Sequence, residues 1–246
     1  MQLLAIDTAT RQLSVALIAD GQVRASYELL ADYPHAVELP GAVTRVLQAA
    51  GTALDRLDGF IVDIGPGSFT GLRIGLAFLK ALAFARRVSV VSVSLLDVLA
   101  AAAPLGDGRV CPVVDARQGN VYTARYRLDS GRITRETDYL LGPAEELLAQ
   151  MREANVFLGD GCAPYRDRIL NVAARAMIAP RDFWLPRAAT LARLGAERFG
   201  AGQRDDPATL VPLYLYPLDC SVRGPNRPTS VLPHPPAAAP NAVNLI

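Results

Sequence analysis

Apolar residues recur along this chain with two different periods, and the change from one to the other predicts its elements. Residues 2–7 are apolar up to a terminal acid, Asp7, which suits a strand buried on both faces. Residues 12–19 predict a second strand and 22–30 a third. Asp20-Gly21 between them is a hairpin turn, because glycine takes positive φ without steric cost. A helical pattern follows from about Pro34 to Ala50, with Val37, Val43, Val46, Leu47 and Ala50 near one face. Pro40 and Gly41 lie inside it, so a kink or two short helices are expected. Phe60–Ile64 predicts a fourth strand, and the Gly65–Thr70 loop leads into a long helix to about Ala85. Residues 88–93 predict a strand and 95–103 a helix, giving the order βββαβαβα.

The second half repeats the opening. Residues 110–115 form another apolar run ending in an acid, Asp115. Strands are expected at 120–127 and 132–140 around an Asp129-Ser130-Gly131 turn. Asp7 and Asp20 are 13 positions apart, and Asp115 and Asp129 are 14 apart. Two units with matched spacing imply an internal duplication. Pro143 then begins a helix to about Ala154, where its missing N–H costs nothing, before a short strand at 156–158. A further helical run spans 188–199. The fold class is therefore α/β, with two lobes that each open on an antiparallel β-meander followed by helices and further strands. The expected lobes are 1–104 and 105–221. Residues 222–246 are rich in proline and cannot bury a core, so they are expected to form a flexible tail.

Charge and cysteine content narrow the function. The formal net charge is +1, so no global attraction to nucleic acid or to an anionic membrane arises. The N-terminus lacks the basic start and long apolar run of a signal peptide, and no stretch approaches the ~18 apolar residues that span a bilayer. Cys111, Cys162 and Cys220 are odd in number and widely spaced, which fits neither a disulfide framework nor a zinc set. A reducing, cytoplasmic setting is expected, with no membrane association.

The most informative run is Gly65-Pro66-Gly67-Ser68-Phe69-Thr70-Gly71-Leu72-Arg73-Ile74-Gly75. Physically it is a strand end, a glycine-rich turn and a helix start. Ser68 or Thr70 can cap the helix, and free N–H groups there, with Arg73 nearby, could hold an anion. A capped helix entry with no ligand explains the same residues. The run is neither a Walker A loop nor a nucleophile elbow. Asp7 and Asp115 admit two readings also: acids facing nucleotide phosphates, with Thr8 and Arg117 beside them, or Asx caps of the turns that follow each strand. The turn role is favoured for Asp7, and Arg117 can pair with Asp115.

That eleven-residue run resembles the signature of the TsaB/YeaZ family. Ile6-Asp7-Thr8, Asp115-Ala116-Arg117-Gln118-Gly119-Asn120-Val121-Tyr122 and Val211-Pro212-Leu213-Tyr214-Leu215 resemble other segments of the family, in order, over about residues 1–218. The resemblance implies two actin/Hsp70-like (ribonuclease H-like) lobes. It further implies a non-catalytic subunit for making threonylcarbamoyladenosine (t6A) on tRNA. Such a subunit would dimerise with a TsaD-type threonylcarbamoyltransferase, work with a TsaE-type ATPase and meet tRNA only through the complex. No tightly bound cofactor is implied, ATP or ADP at the interface with the catalytic partner being the candidate ligand, and the free protein is a candidate homodimer. The partner contact is expected on helices at about 35–50 and 70–85, through His35, Leu72, Leu76, Phe78 and Leu79. Two competing functions are an ATP-dependent small-molecule kinase of the same superfamily and an M22-like metalloprotease. The protease reading is disfavoured because the position four after His35 is Leu39, which leaves no paired histidine ligands.

Overall fold

The computed structural model describes residues 1–30, 35–104, 106–172, 176–215 and 243–244. They form two compact units: Met1–Val98 with Leu185–Leu213, and Leu99–Trp184 with the described residues from Tyr214 onward.

The first unit opens with β1 (Gln2–Asp7), β2 (Gln12–Ala19) and β3 (Gln22–Leu30), an antiparallel meander turned at Asp20 and Gly21, both at positive φ. α1 (His35–Ala49), β4 (Gly59–Asp63), α2 (Phe69–Arg86), β5 (Ser89–Val93) and α3 (Leu95–Ala101) follow, and the sheet order is β3-β2-β1-β4-β5. β1, β4 and β5 run parallel. Their near-continuous apolar composition follows from cover on both faces, whereas edge strand β3 alternates half-buried with exposed positions. On one face, Leu4, Ile6, Phe60 and Val62 pack with Leu39, Val43 and Val46 of α1 and Leu76, Leu79 and Ala83 of α2. Pro40 does not divide α1. It is exposed and near the start of the helix, where its ring displaces a single hydrogen bond, and Thr44 Oγ1 donates to its carbonyl at 3.0 Å.

In the second unit the long strand β6 (Gly108–Arg117) pairs antiparallel with β7 (Asn120–Thr123) and then β8 (Tyr126–Asp129). β9 (Arg132–Arg135) pairs with β8, and β10 (Leu140–Pro143) with β7. α4 (Ala144–Ala149), β11 (Val156–Leu158), α5 (Arg166–Val172) and β12 (Met177–Ile178) complete it, with β11 parallel to both β6 and β12. The relation of β6 to β7/β8 and β11 thus reproduces that of β1 to β2 and β4. Two strands expected as continuous are each split. Arg125, between β7 and β8, and Glu136, after β9, turn toward one another: Glu136 N donates to Arg125 O at 2.7 Å, and the Arg125 guanidinium meets the Glu136 carboxylate at 2.9 Å. α4 ends five residues before the expected Ala154, and α5 and β12 have no counterpart in the sequence reading.

The helical run at 188–199, expected in the second lobe, is α6 (Ala188–Gly200) and belongs to the first unit. The sheet face away from α1 and α2 is apolar and needs cover. Gly195 lets α6 approach so closely that a Cβ there would overlap the Ile61 side chain. Polar anchors fix the return of the chain: Ser14 Oγ accepts from Ala188 N, and Gln12 Nε2 donates to Pro186 O, each at 2.8 Å. Arg198 pairs with Asp97 at 3.0 Å and donates to Ser92 O. Beyond α6, Asp205 bridges the outer edge of β5, accepting from Ser92 N and donating its own N–H to Val90 O. Of the expected tail, β13 (Val243–Asn244) pairs antiparallel with β9, and the remainder of 222–246 lies outside the described residues. Among the described residues no helix is long and apolar enough to cross a membrane.

Replacing Ser14 by Ala strands the buried Ala188 N–H. The expected cost is about 1–3 kcal/mol in a urea melt, and an unchanged midpoint would separate α6 docking from this bond.

Candidate functional site

The glycine signature is tied to several other segments of the first unit. Ser68 is the N-cap of α2, its hydroxyl accepting from Gly71 N at 3.2 Å. Its own N–H donates to Ala9 O at 2.7 Å, in the turn after β1. Gly65 O accepts from Leu95 N at 2.8 Å and from Ser94 Oγ at 2.9 Å. Ile64 O accepts from Leu213 N at 2.8 Å, which brings in the family-like segment at 211–215. Lys80, the single lysine of the chain, donates to Leu210 O nearby in sequence.

The glycines have a steric reason. A Cβ on Gly67 would overlap Ala9 O, one on Gly71 would overlap Thr8 O, and one on Gly75 would overlap Thr8 Oγ1. Thr8 Oγ1 in turn donates to Gly71 O at 2.8 Å. The signature is a face of closest approach between a helix and a turn. The space beside Gly67 and Gly71 that an anion cradle would keep open holds Thr8 and Ala9, so this contact accounts for the glycines without an anion. Arg73 is exposed on the other side of the helix, its guanidinium 3.8 Å from the centre of the Phe69 ring.

Asp7 takes the expected turn role, its Oδ1 accepting from Ala9 N at 2.9 Å. Beside it on β4 stands an acid that the sequence reading passed over. Asp63 repeats the same device, Oδ1 accepting from Gly65 N at 2.6 Å. The two acids end adjacent parallel strands, with Ile6 paired opposite Val62 just before them. Burial pushes the Asp7 carboxyl up to about 6, partly offset by its bond from Ala9 N. Burial, and then the charge of Asp7, holds Asp63 well above the ordinary carboxylate range. The available signal was the shared ending of β1 and β4, an apolar run closed by aspartate.

In the second unit Asp115 Oδ1 accepts from Arg117 N at 2.9 Å, and the two side chains pair at 3.3 Å on the surface. Asp160, after β11, accepts from Asp115 N at 3.0 Å and stands to Asp115 as Asp63 stands to Asp7 in chain order. Packing around its carboxyl raises it too, although the residue as a whole stays exposed. Cys111 and Cys162 are buried free thiols, Cys111 pushed up to about 12 by burial, which suits packing residues. Cys220 lies outside the described residues.

The expected partner-contact residues need correction. Leu72, Leu76 and Leu79 are buried inside the first unit, because the sheet requires the widest apolar face of α2 for itself. Phe78 is half-buried against the same core. His35, the first residue of α1, donates from Nε2 to Thr10 O at 2.8 Å and holds the β1–β2 turn. The outward face of α2 instead carries Ala77, Ala81 and Phe84, and the start of α1 carries Val37. Phe84 is 87% exposed and Val37 71%.

A meander continued by parallel strands and crossover helices, present twice, defines an α/β protein of the actin/Hsp70-like class. A family model described as TsaD, tRNA N6-adenosine threonylcarbamoyltransferase, matches residues 29–208. The tRNA threonylcarbamoyladenosine biosynthesis proteins TsaB of Bacillus subtilis and Escherichia coli are each 33% identical to it over 87% of this chain and 94% of their own. The solved structure of YeaZ from Pseudomonas aeruginosa is 32% identical, covers 87% of this chain and 99% of its own, and superposes with a TM-score of 0.75. The chain belongs to the TsaB/YeaZ family.

If Thr8 and the glycine face form one packed contact, Gly75→Ala should destabilise the protein by about 1–3 kcal/mol. Adding Thr8→Ala should remove at least half of that penalty, since the obstructing atom at Gly75 is the threonine hydroxyl. Gly71→Ala should show no such relief, because its obstacle is the Thr8 backbone. Thermal melts of the single and double variants measure both.

Proposed function

We propose that this protein is a non-catalytic subunit of tRNA t6A biosynthesis, and that it acts by dimerising with a TsaD-type threonylcarbamoyltransferase. The observation that carries the reading is the division of labour on α2. One face is consumed by the protein's own sheet, while Ala77, Ala81 and Phe84, three and four residues apart, are left on an outward apolar stripe. An exposed phenylalanine on a helix flanked by small residues is a fit anchor for a facing helix, since large aromatic side chains dominate interface energetics and small residues admit close packing. The non-catalytic part of the reading is supported by how the signature is used. Its glycines serve packing, its serine serves capping, and Leu39, where a second histidine of a metal pair would stand, is in the core. In this reading tRNA and a TsaE-type ATPase engage the complex, and any ATP or ADP binds where the two paralogues meet.

Co-purification with the TsaD-type subunit of the same organism tests the proposal. Phe84→Asp and Ala81→Arg should each weaken capture by about tenfold or more. Both should leave the free protein's melting temperature nearly unchanged, as substitutions of exposed residues usually do. Leu79→Arg should instead lower stability by roughly 3 kcal/mol or more, because it buries an unpaired charge. Full capture by both surface variants would move the interface off α2 and sink the proposed mode of action.

A further inference from the structure

Asp7 and Asp63 end adjacent parallel strands, and the pairing of Ile6 with Val62 sets them side by side. Both side chains are enclosed, with relative exposures of 0% and 1%. Each spends its Oδ1 on the N–H two residues ahead, Ala9 N and Gly65 N. Each is left with an Oδ2 that has no donor. Among the described residues no ion pair reaches either acid. The basic side chain nearest in influence to Asp7 is His35, at the start of α1, whose Nε2 is engaged by Thr10 O. Toward Asp63 the neighbouring charge is Asp97 of α3, itself paired with Arg198 of α6. Two facing carboxylates, out of water and uncompensated, cannot both ionise. A single proton supplies the donor that both orphaned oxygens lack.

We infer that Asp7 and Asp63 share one proton between their Oδ2 atoms, and that this proton is a pH-sensitive clasp holding the β1–β2 turn to the glycine signature. The two backbone N–H groups that the acids anchor, at Ala9 and Gly65, belong to the two turns that clamp the start of α2. Loss of the proton to solvent leaves two anions in contact and pushes those turns apart. The sign follows from linkage: the folded pair keeps a proton that the unfolded chain, with carboxyls near their ordinary value, has given up. The stabilisation is complete below the ordinary carboxylate range. It is lost as pH rises toward the folded values, about 6 for Asp7 and higher for Asp63.

Urea unfolding of the full chain between pH 5 and 8.5 tests this, with Asp63→Asn and Asp7→Asn beside the wild type. An asparagine amide fills the position of the shared proton permanently. Relative to Asp63→Asn, the wild-type unfolding equilibrium constant should rise about tenfold per pH unit until the shared proton is released. Asp7→Asn should behave like Asp63→Asn. Parallel pH profiles for all three proteins would overturn the clasp. Carbon-13 NMR of aspartate carboxyls in the folded wild type gives a test that needs no variant to fold: one resonance should titrate at or above pH 6. Titration of every carboxyl in the ordinary range would overturn the proposal. So would a Mg²⁺-dependent rise in the wild-type midpoint that vanishes in Asp63→Asn, since that would assign the pair to a cation.

Discussion

The approach of α2 to the Thr8–Ala9 turn sets where the other elements of the first unit go. Glycine at 67 and 71 brings the loop and the helix start against the turn backbone, and glycine at 75 leaves room for the Thr8 side chain, so a larger residue at any of the three must displace part of the turn. With that distance fixed, Leu72, Leu76 and Leu79 reach the sheet, and Ala77, Ala81 and Phe84 face away from it. The carbonyls at the mouth of the loop are then free to accept from Ser94, Leu95 and Leu213, three residues far apart in sequence. A run of glycines that reads as a cradle for a ligand is better understood as a joint into which several segments are fastened.

Much of this was legible in the chain. The meander of β1, β2 and β3, the place and extent of α2, and the duplication all follow from apolar period, turn residues and spacing, because these are local or repeat-based signals. Burial direction was not legible for α2. Apolar residues almost encircle it, and a helix of that kind does not declare which side its own sheet will claim. Leu76 and Ala77 are equally acceptable to a partner until the register of the helix on the sheet is known. Asp63 was hidden for another reason. One aspartate at a strand end is an ordinary turn cap, and only the parallel pairing of β1 with β4 shows that two such caps adjoin.

The two units also show how one plan tolerates different degrees of enclosure. In the first, the paired strand-end acids are fully enclosed. In the second, Asp115 and Asp160 stand in the corresponding order, with Asp115 next to an exposed arginine. The second pair keeps contact with solvent and has a guanidinium beside Asp115, so the two positions differ in enclosure, although the Asp160 carboxyl is raised there as well.

The return of α6 to the first sheet has a bearing on how the molecule is made. Residues 1–98 emerge from a ribosome first, yet their sheet keeps one apolar face bare until some hundred further residues have been synthesised and α6 arrives. The second unit, by contrast, lies nearly whole within the stretch between. The earlier-translated half is therefore the later one to be finished, and a break in the chain anywhere before Gly200 leaves an unfinished sheet rather than a smaller independent domain.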